Sequence, residues 1–346
     1  MIQTISLNTQ TKLRNLKTGN KENFGICSKQ MKNRKAFITG ISSTYLKKKE
    51  IDFLKTNKPW GVILFSRNIN NFDQTKLLIN QIKSCFHDSK YPILIDEEGG
   101  RVSRLKKIID TSIFSSKFFG KLYLKNKKKF YYQYKIYINS ISQVLNDLGI
   151  NINTVPVLDV IRDKTNKIID DRAFSNRVKI VSKLGDYCIK LYTKNRIGTV
   201  IKHIPGHGLA INDSHFSTPI VNEKKKILNN IDFLAFKNKK SLFAMTAHII
   251  YSQYDPINTA THSKIIINDI IRKKLKFRHL LMSDDISMKA LRYGFKENVI
   301  RSLKAGCNLI LHCNGNIKEM RVIANNVPKI DDFIIKKTSQ FYKFLI

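Results

Sequence analysis

Residues 202–215 read KHIPGHGLAINDSH, so a lysine, three histidines and an aspartate share one short stretch. An imidazole ionises near pH ~6.5, so it can give or take a proton at neutral pH. Just before it, Gly198–Ile201 (GTVI) is short, apolar and β-branched, and reads as a buried parallel strand. Lys202 and His203 then stand at the strand's C-terminal end. Pro205, Gly206 and Gly208 exclude an ordinary helix and impose a tight loop ending on Asp213-Ser214-His215. A loop so dense in His and Asp beside a buried strand is costly unless those groups are used.

Two further stretches carry chemistry. Ile93–Leu105 reads ILIDEEGGRVSRL, a strand running into three acids, two glycines and two arginines. Asp96 can accept bidentate hydrogen bonds from a diol, and Arg104 can face a carboxylate or a hydroxyl pair. A purely structural ion-pair network is the alternative there. Asp170-Asp171-Arg172 is a similar acid–Arg cluster after the fourth strand. Leu280–Met288 reads LLMSDDISM, with two adjacent carboxylates after a buried strand. Neighbouring side chains diverge, so one of the two reaches a pocket. Asp285 suits the N-cap of a helix running through Leu291, which leaves Asp284 as a nucleophile toward an anomeric carbon. His203, His207 and His215 also admit a metal-dependent hydrolase. Barrel metallohydrolases carry a His-x-His pair on strand one, and Ala36–Thr39 holds none.

These groups need a frame. Strand candidates are Ala36–Thr39, Gly61–Phe65, Ile93–Asp96, Ile152–Leu158, Thr199–His203, Leu242–Ala247, Leu280–Ser283 and Asn308–His312. Helical periodicity fills the intervals. Tyr134, Tyr137, Ile138, Ile141, Val144, Leu145 and Leu148 recur at helical spacing, and Gly149 stops the run. A helix over Glu297–Ala305 ends at Gly306, and Asp73 caps the helix carrying Leu78, Ile82 and Cys85. Alternating β and α units predict a single (β/α)8 barrel, with a doubly wound sheet as the alternative. Asp96, Asp159, Lys202, His203, His248, Asp284, His312 and Asn314 all follow strands, on the face where barrel enzymes place their sites.

The 346 residues carry a net charge of +36, which first suggests a polyanion partner. The lysines are dispersed, however, in short runs such as Lys47–Lys49, Lys127–Lys129 and Lys224–Lys226, with no nucleic-acid-binding motif beside them. Lys, Asn and Ile are abundant together and share A/T-rich codons, so genome composition accounts for the charge. Specific nucleic-acid binding is not expected. Five scattered cysteines without a CxxC pair support neither a zinc knuckle nor a disulfide framework, and fit a reducing compartment. No apolar run approaches the ~20 residues of a membrane span. Residues 1–30 are polar and basic and lack a signal-peptide core, so they read as a disordered tail or a translated stretch before a start at Met31. The catalytic domain is then 31–346. A chain beginning at Met31 is expected to keep its melting temperature and activity; a drop of more than a few degrees would show that the segment packs on the barrel.

The stretches GVILFSRNI, IDEEGGRVSRL, VPVLDV, DDRAFS, KHIPGHGLAINDSHFSTP, LMSDDISMKAL and AGCNLILHCNG, in that order, resemble the bacterial β-N-acetylglucosaminidases of glycoside hydrolase family 3, NagZ type. The resemblance spans about residues 35–325. It implies one barrel, a retaining mechanism without metal or other cofactor, a cytoplasmic monomer, and muropeptide substrates from cell-wall recycling. It further implies Asp284 as nucleophile, His215 as general acid/base with Asp213 as its partner, and Asp96, Arg104, Arg172, Lys202 and His203 as sugar-binding residues. One departure is Asp96-Glu97-Glu98, where the family usually has acid-Gln-Glu. A barrel that has lost catalysis and only binds is disfavoured by the presence of Asp284, Asp213 and His215.

Overall fold

The computed structural model describes residues 31–163, 169–214 and 217–346. The expectation for residues 1–30 and the role given to His215 lie outside the described residues. Among the described residues ten strands appear in chain order: β1 Lys35–Gly40, β2 Pro59–Leu64, β3 Ile93–Ile95, β4 Ile152–Asn153, β5 Gly198–Ile204, β6 Ile220–Val221, β7 Phe243–Thr246, β8 Ile250–Tyr251, β9 Leu280–Asp285 and β10 Leu309–His312. Eight of them close into a parallel barrel in the order β1-β10-β9-β7-β5-β4-β3-β2. Closure through β1 and β10, with Phe37 opposite Ile310, rules out the doubly wound sheet.

Alternation along each strand sorts side chains into two cores. On β1, Ala36 and Ile38 join the interior cluster, and Phe37 joins the layer between strands and helices. Leu94 on β3 points inward while Ile93 and Ile95 point outward. The interior is packed with Trp60, Phe243, Met245, Met282 and Leu309, so the barrel is filled rather than a pore. Its lower end is closed by the helix Asp332–Phe344, whose Phe341 and Tyr342 join the same cluster. The Trp60 indole donates to Thr338 Oγ1 at 2.8 Å, satisfying the polar atom that a buried Trp brings with it.

All eight expected strands exist, with altered ends. The fourth stops at Asn153, far short of Leu158. Pro156 lacks an N–H, and beyond it only an isolated bridge joins Val157 to Lys202. The helix Lys127–Leu148 ends at Gly149 with φ 88°, as its sequence requires. The cap expected at Asp73 is provided by Asn71 instead, which accepts from the Gln74 amide at 2.9 Å. Asp73 lies in the first turn, where its charge complements the helix dipole. The helix expected from Asp285 through Leu291 is absent: residues 286–291 form turns and bends, and the next helix is Phe295–Ala305. The short β6–β8 pair is unforeseen, because two-residue strands carry no periodicity. Cys85, Cys188, Cys307 and Cys313 are free thiols.

Candidate active site

At the C-terminal face the strand ends surround a cavity of about 320 Å³, at the small end of ligand pockets. Asp96 and Thr154 enter directly after β3 and β4. Lys202 and His203 come from β5, Met245 from β7, Asp284 and Asp285 from β9, and Leu311 from β10. Arg104 and Arg172 reach in from the loops after β3 and β4. Phe65, Ile63 and Met288 supply apolar wall, and the Arg104 guanidinium lies 5.5 Å from the Phe65 ring centroid. A pocket of ordered charges beside apolar patches suits a ligand with hydroxyls on its edge and C–H groups on its faces.

One side of this cavity is an ion-pair network. Asp96 accepts from Thr154 Oγ1 at 2.6 Å, from Arg104 at 2.9 Å and from the Lys202 ammonium. Lys202 also lies 2.7 Å from Glu98, and Arg172 grips both Glu98 oxygens at 2.8 Å. Burial would raise the Asp96 carboxyl, but Lys202, Arg104 and Arg172 hold it well below the usual carboxylate range. Burial likewise works against the Glu98 carboxylate and the Lys202 ammonium, and their opposite partners outweigh it. Asp96, Glu98 and Lys202 are therefore charged and oriented before a ligand arrives. Removing one partner of such a buried set typically costs ~3–5 kcal/mol.

A second pair fixes the histidine loop. Asp159 is fully buried, and its Oδ2 lies 2.7 Å from His203 Nδ1. Its Oδ1 accepts the His207 amide at 2.7 Å. Burial tends to raise this carboxyl, and His203 brings it below its ordinary value. The loop then packs too closely for side chains: a Cβ on Gly208 would stand 1.9 Å from the Val160 carbonyl oxygen. Gly206 has φ 143°, a conformation that glycine alone adopts readily. His207 is 3 % exposed, and burial, with His203 nearby, pushes its imidazole down to about 4. Its folded value is thus below its unfolded one, so its contribution is complete above pH ~6.5 and is lost as pH falls through about 4. That contribution amounts to about 3 kcal/mol. Urea unfolding is expected to show wild type losing more stability than His207→Gln between neutral pH and about pH 4.5. Equal losses would show that His207 is not held neutral.

On the opposite wall the Asp284 carboxylate takes the Asp285 amide on Oδ1 at 2.8 Å. Burial raises its carboxyl, but His203, His248 and that amide together leave it below the ordinary value. Asp285 is occupied differently: Oδ1 accepts the Ser287 and Cys313 amides at 3.1 and 3.2 Å, and Oδ2 accepts the Ser287 hydroxyl at 2.7 Å. Rather than capping a helix, it ties together the turns after β9 and β10; and whereas the sequence put only one of the two carboxylates in the pocket, both line it, because the turn after β9 folds back over the strand end.

Asp96, Arg104, Arg172, Lys202, His203 and Asp284 all line this one cavity. Ser214 lines it too, whereas Asp213 is described but does not. His215 is outside the described residues, so the Asp213–His215 relation has no geometry here. The sequence placed Asp159 on this face without a partner and gave no role to Glu98 or Thr154; the three are hydrogen-bonded or ion-paired to Asp96, Arg172, Lys202 and His203. The acid run before Gly99 and the polar end of VPVLDV were the available signals. Among the described residues, no three His, Cys, Asp or Glu side chains are arranged to hold a metal. No helix among them is long and apolar enough to cross a membrane.

The family described as the glycosyl hydrolase family 3 N terminal domain matches residues 29–337. A β-hexosaminidase of Haemophilus ducreyi is 32% identical over 284 residues, covering 80% of each chain. One from Haemophilus influenzae is 32% identical over 298 residues, covering 84% of this chain and 82% of the relative. Among solved structures, NagZ from Neisseria gonorrhoeae in complex with N-trifluoroacetyl-D-glucosamine superposes with a TM-score of 0.78 at 26% identity, covering 89% of this chain and 90% of that one.

Proposed function

The chain belongs to glycosyl hydrolase family 3 as a β-N-acetylhexosaminidase, and we propose that it releases terminal β-linked N-acetylglucosamine through a covalent glycosyl–Asp284 intermediate. The observation that carries this reading is the Asp284 carboxylate: ionised, lightly engaged, and across the pocket from a prepaid set of hydroxyl-binding charges. Asp96, Arg104, Arg172, Lys202 and His203 hold the sugar ring. An Asp284 oxygen attacks the anomeric carbon as the glycosidic C–O bond breaks. His215 gives its proton to the leaving oxygen, and Asp213 orients and stabilises the imidazolium. Water then attacks the intermediate, His215 takes its proton back, and Asp284 departs. Two inversions give overall retention.

We assign the natural substrates to muropeptides from cell-wall turnover, acted on by a cytoplasmic monomer. The H. ducreyi and H. influenzae relatives, and the N-trifluoroacetyl-D-glucosamine bound to the N. gonorrhoeae enzyme, support the sugar. Proton NMR of the first seconds of hydrolysis tests the mechanism: the β-anomer of N-acetylglucosamine is expected to appear before mutarotation. Initial α-anomer would mean a single displacement and would remove the covalent intermediate.

A further inference from the structure

Between β9 and β10 the ladder slips: Leu309 faces Met282, but Leu311 faces Asp285. One extra residue of β9 therefore lies in the interval Ser283–Asp284, as in a β-bulge, a device that re-aims a side chain and leaves it unpaired in the ladder. Strand pairing alone does not fix the direction of Asp284. Other contacts converge on the next peptide. His248, after β7, is 1 % exposed and does not line the cavity. Its Nε2 lies 3.1 Å from the Asp285 carbonyl oxygen, which also accepts the Met288 amide at 3.1 Å. Its Nδ1 lies 2.7 Å from Thr261 Oγ1, and Thr261 Oγ1 lies 2.8 Å from Thr246 Oγ1.

A carbonyl only accepts, so Nε2 carries a proton. Burial pushes the His248 imidazole down, so the ring is neutral at neutral pH and its Nδ1 must accept. Thr261 has a single proton. Given to Nδ1, it leaves only a long 3.2 Å approach to the Ala247 carbonyl, and Thr261 in turn receives the Thr246 proton. The bonds thus run one way, from Thr246 through Thr261 and His248 to the Asp285 carbonyl. The same residue's amide then addresses Asp284 Oδ1.

We propose that His248, in a tautomer locked by Thr261 and Thr246, is a positioning residue that holds the bulged Asp284–Asp285 segment so that the Asp284 carboxylate meets the anomeric carbon. The inference rests on Asp284 being the nucleophile. Its strength comes from geometry: in-line attack tolerates little error, and a ~1 Å misplacement costs ~10²-fold in rate.

The test compares His248→Ala, His248→Gln, Thr261→Val and Thr261→Ser with wild type. Gln places an amide N–H where Nε2–H stood, and Val keeps the shape of Thr without its proton, so Thr261→Val carries the test if His248→Ala fails to fold. Measured are kcat and KM on a nitrophenyl N-acetylglucosaminide, Kd for N-acetylglucosamine, and the rate at which a slow fluorinated glycosyl donor labels Asp284. His248→Ala and Thr261→Val should lower kcat and the labelling rate ~10–100-fold, with KM and Kd within about twofold. His248→Gln and Thr261→Ser should recover most of the loss. Nitrogen-15 NMR of the wild type at neutral pH should show a neutral ring protonated on Nε2, and Thr261→Val should show mixed tautomers. Wild-type labelling rates at Asp284 in His248→Ala and Thr261→Val would overturn the positioning role. A label on another residue of the wild type would instead overturn the nucleophile reading beneath it.

Discussion

Asp284→Ala should lower kcat by about four orders of magnitude while leaving the affinity for N-acetylglucosamine nearly intact. Losing the nucleophile removes the covalent route, and a ~10⁴-fold fall corresponds to ~5–6 kcal/mol of barrier. Binding survives because the ring-holding charges do not depend on Asp284. Asp96, Glu98, Lys202 and Arg172 satisfy one another on the other wall. The neighbouring carboxylate is the natural competitor. Both Asp285 oxygens are committed to Ser287 and Cys313, so turning it toward a sugar would break three hydrogen bonds. Mass spectrometry after trapping with a slow fluorinated donor should find the sugar on Asp284. Sugar on Asp285 would sink the assignment.

His215→Ala should divide substrates by leaving group. A sugar alkoxide needs a proton to depart and a nitrophenolate scarcely does. Cleavage of a natural disaccharide should therefore fall ~10²–10⁴-fold, and the first step on a nitrophenyl glycoside much less. Deglycosylation would still lack its base, so the intermediate should accumulate and show as a burst of nitrophenol. Azide needs no base; it should restore turnover and yield a β-glycosyl azide. Asp213→Asn should show a weaker form of the same pattern, since the ring remains but is poorly oriented. A metal site would behave otherwise. Chelators would then silence the wild type, zinc would restore it, and replacements of His203, His207 and His215 would look alike on every substrate.

The local sequence determined the barrel elements and most of the pocket residues. Short apolar runs such as Ala36–Thr39 are buried strands in any parallel sheet, and Gly149 and Gly306 stop helices wherever they fold. Strand ends followed by Asp, Lys or His point to one face, because parallel strands share one direction. The sequence placed only one of Asp284 and Asp285 in the pocket; both line it, and what sets them apart is that the turns after β9 and β10 occupy the Asp285 carboxylate. What these groups do to one another was decided by closure. Lys202 meets Asp96 across 106 positions, and Arg172 meets Glu98 across 74, because β3, β4 and β5 are neighbours in the barrel. No local pattern encodes that distance. The N-cap expected at Asp285 failed for the same reason: its carboxylate found the Cys313 amide on the adjoining strand's loop, 28 positions away, and no helix formed to need it. The bulge that turns Asp284 and the His248 chain that braces it exist only once β7, β9 and β10 lie side by side. Residue types therefore set the available chemistry. The order of the strands around the barrel set which charges are paired and which groups are neutral.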